Sequence, residues 1–225
     1  MRTIDVTQGV RVTGTRTTAS LLSQVLWITA AGFVTTAAGA YVAPALLGGI
    51  GFGFLFLCTM ALIFGVNLAA RRSPNLALVL FYVFTFLMGV EVGPIIKMYL
   101  HIPGGVHIVF EAAGTTALGM AIMATVAQVA NFDYQRVGRT AMWCLIGLCL
   151  IGVLGMFVHI VSPGLYAWAS LAIFSVLLLV DFMRLRDGAM GLAPVQMALS
   201  IYLDALNIFM ALLQIFGNNN SRSRD

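Results

Sequence analysis

The sequence predicts an all-α integral membrane protein in which seven transmembrane helices form one bundle. Of its 225 residues, 60% are hydrophobic and only 9% are charged, whereas a soluble domain carries about 25% charged residues. The hydrophobic residues occur in seven runs, and a spanning helix needs about 20 such residues. Short segments rich in proline, glycine and polar residues separate the runs, and these residues stop helices. Lipid is therefore the solvent that this composition fits.

The seven runs define the predicted spans in chain order. They lie at residues 20–43, 47–70, 77–98, 107–130, 139–160, 164–183 and 193–216. The connections between them are predicted at Pro44 and at residues 71–74, 103–105, 131–133, 162–164 and 187–188. Helices satisfy all backbone groups locally over such runs, which are too long for barrel strands. The predicted organisation is a polar tail at 1–19, one transmembrane domain at 20–217 and a polar tail at 218–225, with both tails mobile.

Lysine and arginine are distributed unequally between the two sides of the predicted bundle. Nine fall in the N-terminal tail and in the second, fourth and sixth connections, and three fall on the other side if the last run crosses. Basic residues mark the cytoplasmic side, so we expect the N-terminus to be cytoplasmic. A re-entrant last run would make the ratio eleven to one, so charge alone does not decide between these alternatives.

The last run carries a polar stripe that lipid could not accommodate. Ser200, Asp204, Asn207 and Gln214 fall on one helical face, and apolar residues fill most of the remainder. An acidic residue inside a span is expensive, at roughly 2.5–3.5 kcal/mol, and is a functional hypothesis by default. We therefore expect the seventh helix at the centre of the bundle, surrounded by the other six. The alternative interpretation of the stripe is a structural hydrogen-bond seam between helices.

Asp181, at the end of the sixth run, is predicted to meet Asp204. The two residues flank the last connection and lie at depths that differ by about one helical turn. Two carboxylates that meet in a low dielectric cannot easily both ionise, so they share a proton. Such a pair is suited to pH sensing and to cation binding. The alternative is that Asp181 is a solvated charge at a helix end.

Two further acidic residues lie in the predicted spans. Glu111 opens the fourth run, where it either favours the helix dipole or forms part of a cation entrance. Glu91 precedes Pro94 in the third run. It is interpreted first as a structural ion pair with Lys97, and alternatively as a residue of an ion pathway.

Several classes of function find no support in the sequence. It contains no motif of a serine hydrolase, a zinc protease or a nucleotide-binding loop. Cys58, Cys144 and Cys149 lie inside hydrophobic runs and fit no metal-binding spacing. The net charge is +4, but the basic residues are scattered. We therefore expect no enzymatic activity, no cofactor and no nucleic-acid partner.

Residues 198–209, ALSIYLDALNIF, closely resemble the signature ALSLYLDxxNLF of the Bax inhibitor-1 family, also called the transmembrane BAX inhibitor motif family. Residues 89–94 resemble the third-span GxxxxP segment of that family, and residues 110–116 resemble its fourth-span entry. The region of Asp181 is similar to the end of its sixth span. The resemblance covers residues 20–217. Two departures are the lack of an acidic residue in the second span and the presence of Glu91, where the family usually has a small or hydroxyl residue.

The resemblance implies six helices around a central seventh, and bacterial members that include pH-sensitive calcium leak channels. By motif, Asp181 and Asp204 would form the pH sensor, Arg71 at the end of the second span would be the latch, and Glu111 would lie on the ion route.

We therefore expect a monomeric channel of the bacterial inner membrane that responds to protons and conducts cations. Calcium is the expected ion because hard cations prefer carboxylate oxygens, which makes Asp181 and Asp204 candidate ligands. The expected ion pathway comprises Glu111, Asn207, Ser200 and Glu91. The alternative is a regulatory membrane protein that transports nothing and binds a membrane protease or another membrane partner.

Overall fold

A computed structural model of the protein describes residues 6–47, 51–155 and 161–222. Within this part of the chain, all the long elements are helices. They are α1 (Val6–Leu47), α2 (Phe52–Ala70), α3 (Pro74–Leu100), α4 (Gly105–Val129), α5 (Tyr134–Gly155), α6 (Pro163–Arg186) and α7 (Pro194–Arg222). Each contains a stretch long and apolar enough to cross a bilayer. The predicted all-α class and the seven spans are confirmed.

Serine and proline mark the starts of α3 and α6, where the sequence predicted breaks between helices. Ser73 and Ser162 each accept a hydrogen bond from the backbone N–H three residues later, and each is followed by a proline in the first helical turn. This arrangement satisfies one of the free N–H groups of a helix start. The prediction at Pro44 is wrong, because α1 continues through this residue to Leu47. The last residues of the predicted fifth span, 156–160, lie outside the described part of the chain.

The polar ends of the chain extend the helices beyond the predicted spans. Helix α1 begins at Val6, before the apolar stretch that starts at Ala19. Helix α7 is continuous over 29 residues. A helix of this length spans about 40 Å at 1.5 Å per residue, so it favours the crossing alternative over the re-entrant one.

The turn between α6 and α7 has an unusual backbone. Four consecutive residues have positive φ angles, namely 87° at Gly188, 58° at Ala189, 51° at Met190 and 80° at Gly191. Glycine adopts this region without strain, whereas residues with a Cβ are strained by about 1–2 kcal/mol each. This compact turn brings the end of α6 next to the start of α7.

Helix α7 lies at the centre of the bundle, as the polar stripe predicted. Of its span, 61% is buried, compared with 11% of the α5 span. It packs against α1, α2, α3, α4 and α6, and α5 packs mainly on the outside of α6. The large side chains of Tyr202, Met197 and Leu213 are completely enclosed. The central position places Asp204 and Tyr202, both buried, against protein rather than lipid.

Helices α1 and α3 approach each other through glycine. A Cβ atom added at Gly89 would contact the carbonyl oxygen of Thr36 and lie 2.8 Å from its carbonyl carbon. A Cβ atom at Gly39 would contact the carbonyl oxygen of Phe86 in the same way. Small residues at such positions allow helix backbones to touch in a membrane. This contact fixes α1 and α3 as one wall of the bundle.

Candidate ion-binding site

Asp181 lies near the last turn of α6, where it is 96% buried and interacts with side chains of α6 and α7. Its Oδ1 atom accepts a bond of 3.0 Å from Nη1 of Arg184. The two residues are three positions apart, which places them on one face of the helix. Ser200 on α7 lies close enough for its hydroxyl to interact with the same carboxyl group. Asp181 therefore joins α6 to α7 close to their connecting turn.

Asp204 lies one helical turn beyond Ser200 on α7 and is 94% buried. The charges of Asp181 and Arg184 are both close enough to act on its carboxyl group. Each aspartate has one completely buried oxygen, Oδ2, that finds no hydrogen-bond donor among the described residues. A buried acceptor without a donor is costly, at about 1–3 kcal/mol or more for a charged group. The two carboxyls therefore form a site that a proton or a cation would stabilise.

The arginine at this site is Arg184, whereas the family resemblance implied Arg71. Arg71 caps the end of α2 and is exposed. Within the described residues it makes no ion pair, and Arg184 is the residue bonded to Asp181. The reason is local, because Arg184 follows Asp181 by less than one turn of the same helix. In this conformation Arg71 has no contact that a latch would require.

Glu91 is buried on α3, but its partner differs from the predicted Lys97. Its Oε1 atom accepts a hydrogen bond of 2.8 Å from the hydroxyl of Thr59 on α2. Six helical positions separate Glu91 from Lys97, which turns the two side chains about 120° apart around the helix axis. The ion pair with Lys97 is therefore wrong, and Glu91 links α3 to α2.

A second polar cluster, which the sequence did not predict, lies on the side of α7 that faces α1 and α3. The hydroxyl of Tyr202 is 2.6 Å from Oγ1 of Thr36, and this atom is also 3.0 Å from the carbonyl oxygen of Thr85. Glu91 is near enough for its charge to act on Tyr202. Single threonines in apolar helices give no sequence signal, because each can satisfy its hydroxyl on its own helix backbone.

Glu111 is not part of this constellation. Its side chain is 47% exposed on α4, and its Oε2 atom lies 3.5 Å from Nδ1 of His107. It sits near the start of α4, at the end of the bundle opposite the α6–α7 turn. The structure therefore separates Glu111 from the aspartate pair by much of the length of the bundle.

The remaining residues of the predicted stripe extend from the aspartate pair towards the far end of α7. Ser200 contacts Asp181, while Nδ2 of Asn207 donates to the carbonyl oxygen of Leu203 at 2.8 Å. Asn207 and Gln214 line a cavity of about 140 Å³ between α5, α6 and α7. The stripe thus faces protein and a cavity between helices, as expected for polar groups inside a bilayer.

Comparisons with known proteins identify one family and several bacterial relatives. A family model described as inhibitor of apoptosis-promoting Bax1 matches residues 18–221. A protein of Campylobacter jejuni is 29% identical over 209 residues, which cover 89% of each chain. A protein of Neisseria meningitidis serogroup A is 30% identical over 195 residues, covering 81% of this chain and 84% of the relative. A protein of Streptococcus pyogenes serotype M1, described as a membrane protein, is 28% identical over 172 residues and 72% of each chain.

Proposed function

Because the chain belongs to the Bax inhibitor-1 family, we propose that it is a pH-sensitive leak channel that conducts calcium across the bacterial inner membrane. The observation that carries this proposal is the aspartate pair, Asp181 and Asp204, on two adjacent helices of a membrane bundle. Both side chains are buried, and each has an oxygen without a hydrogen-bond donor among the described residues. Ionisable residues inside membranes mark ion and proton pathways.

The charges at the pair explain how protons would control ion binding. With both carboxylates ionised, the cluster of Asp181, Asp204 and Arg184 has a net charge of −1, and one shared proton makes it neutral. Without that proton, the cluster attracts a cation to the free Oδ2 atoms. Calcium accepts six to eight oxygen ligands, so other oxygens and water would complete its shell. Protonation and calcium binding therefore compete for the same oxygens.

Arg184 has the latch role in this proposal. Its guanidinium bonds Asp181 at 3.0 Å while its side chain is 31% exposed. It can therefore exchange the carboxylate for solvent when the charge of the pair changes, whereas a fully buried arginine could not. Release of Arg184 would free Asp181 to move with the end of α6.

The orientation of the bundle determines which compartment the pair senses. Arg71, Arg136 and Arg184 lie at or near the helix ends on the same side as the α6–α7 turn. We place this side in the cytoplasm because basic connections are retained there. The pair lies closer to this end, so it would respond to cytoplasmic pH.

The test is calcium flux into liposomes that contain the purified protein, measured with a trapped calcium dye across a series of pH values. The wild type should show flux that changes with pH through a single transition. Asp204→Asn removes one carboxylate and the shared proton, so the transition should disappear. The matched control is Asp133→Asn, which removes an exposed carboxylate whose ion-pair partner is Arg136, and it should leave the pH profile unchanged.

The outcomes separate this proposal from its alternative. An unchanged pH transition in Asp204→Asn would show that the pair is not the sensor. If the pure protein gives no flux at any pH, calcium conduction is wrong. Recovery of a membrane-protein partner by crosslinking would then favour the regulatory alternative.

A further inference from the structure

We propose that the cavity between α5, α6 and α7 is a water-filled vestibule through which cations reach Asp204 from the end of the bundle opposite the α6–α7 turn. The route rests on the proposed channel function, whereas the hydration of the cavity does not. Its volume is about 140 Å³, which is enough for several water molecules when polar partners are present.

The polar groups of the cavity come from two facing helices. Helix α6 contributes Tyr166 and Ser170, and α7 contributes Asn207 and Gln214. Ser170 is 91% buried, although it lies in the middle of an apolar helix. Four converging polar side chains can bind water from several directions. Empty cavities inside proteins are apolar, whereas polar cavities of this size contain water.

The cavity is in line with the aspartate pair. Along α7, Gln214 and Asn207 lie on the stripe that continues to Asp204, and Asn207 is about 4.5 Å of helix rise from Asp204. Along α6, Ser170 lies on the face that leads towards Asp181. The two polar stripes therefore face each other, with the cavity at one end and the carboxylates at the other.

Phe174 forms the boundary between the cavity and the pair. It lines the cavity and is 92% buried, and it lies between Ser170 and Asp181 along α6. An apolar ring at this point would keep water in the cavity apart from the carboxylates in this conformation. Hydrophobic constrictions of this kind close channels by excluding water.

Helix α5 forms the outer wall of the vestibule, and two of its cysteines provide a test. Cys149 lines the cavity, and its thiol is near enough to act on Tyr166. Cys144 lies in a different groove, on the outer surface between α5 and α6. Both cysteines are exposed in the absence of lipid, so only water in the cavity would distinguish them inside a bilayer.

The experiment uses the full-length protein in lipid nanodiscs, which give reagents access from both sides. One variant keeps Cys149 and carries Cys58→Ala and Cys144→Ala, and its control keeps Cys144 and carries Cys58→Ala and Cys149→Ala. A cationic, membrane-impermeant methanethiosulfonate reacts with thiols in water, and mass spectrometry measures its rate. We expect Cys149 to react at least tenfold faster than Cys144. Equal rates would overturn the hydrated cavity.

A second measurement tests the route. Both variants are labelled in detergent, reconstituted in liposomes and assayed for calcium flux. Labelled Cys149 places a fixed positive charge in the vestibule and should reduce flux at least threefold, while labelled Cys144 should not. Fast labelling of Cys149 with undiminished flux would overturn the route. The absence of flux in both unlabelled variants and in the wild type would overturn the channel function and the route with it, and the labelling rates would still decide hydration.

Discussion

Replacing Gly89 with alanine tests how closely α3 lies against the backbone of α1. The new Cβ atom would contact the carbonyl oxygen of Thr36 and lie 2.8 Å from its carbonyl carbon. Carbon atoms pack at about 3.5 Å or more, so the carbon contact alone requires the helices to separate by about 0.7 Å, and the nearer carbonyl oxygen requires a larger movement. Because the opposing atoms belong to the main chain, rotation of a side chain cannot relieve the contact.

The separation weakens a hydrogen-bonded cluster as well as the packing. Oγ1 of Thr36 is 3.0 Å from the carbonyl oxygen of Thr85 and 2.6 Å from the hydroxyl of Tyr202. Hydrogen bonds between membrane helices contribute about 0.6 kcal/mol each, and overpacking costs about 1–3 kcal/mol. Alanine regains up to about 1 kcal/mol through its helix propensity. The free energy of unfolding should therefore fall by about 1–3 kcal/mol.

The assay is unfolding of the purified protein by sodium dodecyl sulfate in mixed micelles, followed by circular dichroism. The matched control is Gly114→Ala on α4, where no heavy atom lies within 4 Å of the new Cβ, and this variant should be as stable as the wild type or slightly more stable. If Gly89→Ala unfolds at the same detergent fraction as Gly114→Ala, the close approach of α1 and α3 is wrong.

Three further substitutions probe the end of the bundle near the aspartate pair. Arg184→Gln leaves Asp181 without its cation and should lower the unfolding free energy by about 1–3 kcal/mol at pH 8, less than for a fully enclosed pair because Arg184 is partly exposed. Detergent unfolding measures this loss, and a variant as stable as the wild type would contradict the ion pair. The hydrogen bond from Arg186 lowers the pKa of Asp187. The stability that this pair adds to the folded state is therefore present above the unfolded pKa of about 4, and it is lost as the pH falls through the lower folded pKa. Asp187→Asn should therefore lose less thermal stability than the wild type as the pH falls below about 4. Thermal stabilities that fall in parallel for the variant and the wild type would refute this prediction. Met190→Gly removes a left-handed residue with φ of 51° and should raise the unfolding free energy by about 0.5–1 kcal/mol, whereas a less stable variant would show that the turn is not strained there.

Much of the fold was predictable because transmembrane helices are determined by local sequence. Apolar runs of sufficient length predict the spans, and the serine–proline pairs at Ser73 and Ser162 predict two helix starts. The central position of α7 followed from its polar stripe, since lipid cannot solvate Ser200, Asp204 and Asn207. These inferences need only the chain itself and the properties of the bilayer.

The partners of the buried polar residues were less predictable. The sequence suggested that Asp181 and Asp204 lie at similar depth. In the structure, the two carboxyl groups and Arg184 are close enough for their charges to interact. It also suggested Lys97 for Glu91, and the structure gives Thr59 on another helix instead. A partner on a different helix depends on how far each helix is rotated about its axis, which its own periodicity does not fix.

Hydrophobicity and helical spacing act over a few neighbouring residues, so they predict the membrane class, the number of spans and the helix that carries Asp204. The bond from Arg184 to Asp181, the Tyr202 cluster that joins α7 to α1 and α3, and the cavity between α5 and α7 become visible in the folded bundle. These features depend on the distance and rotation between helices far apart in the chain, and those are set by packing the whole bundle.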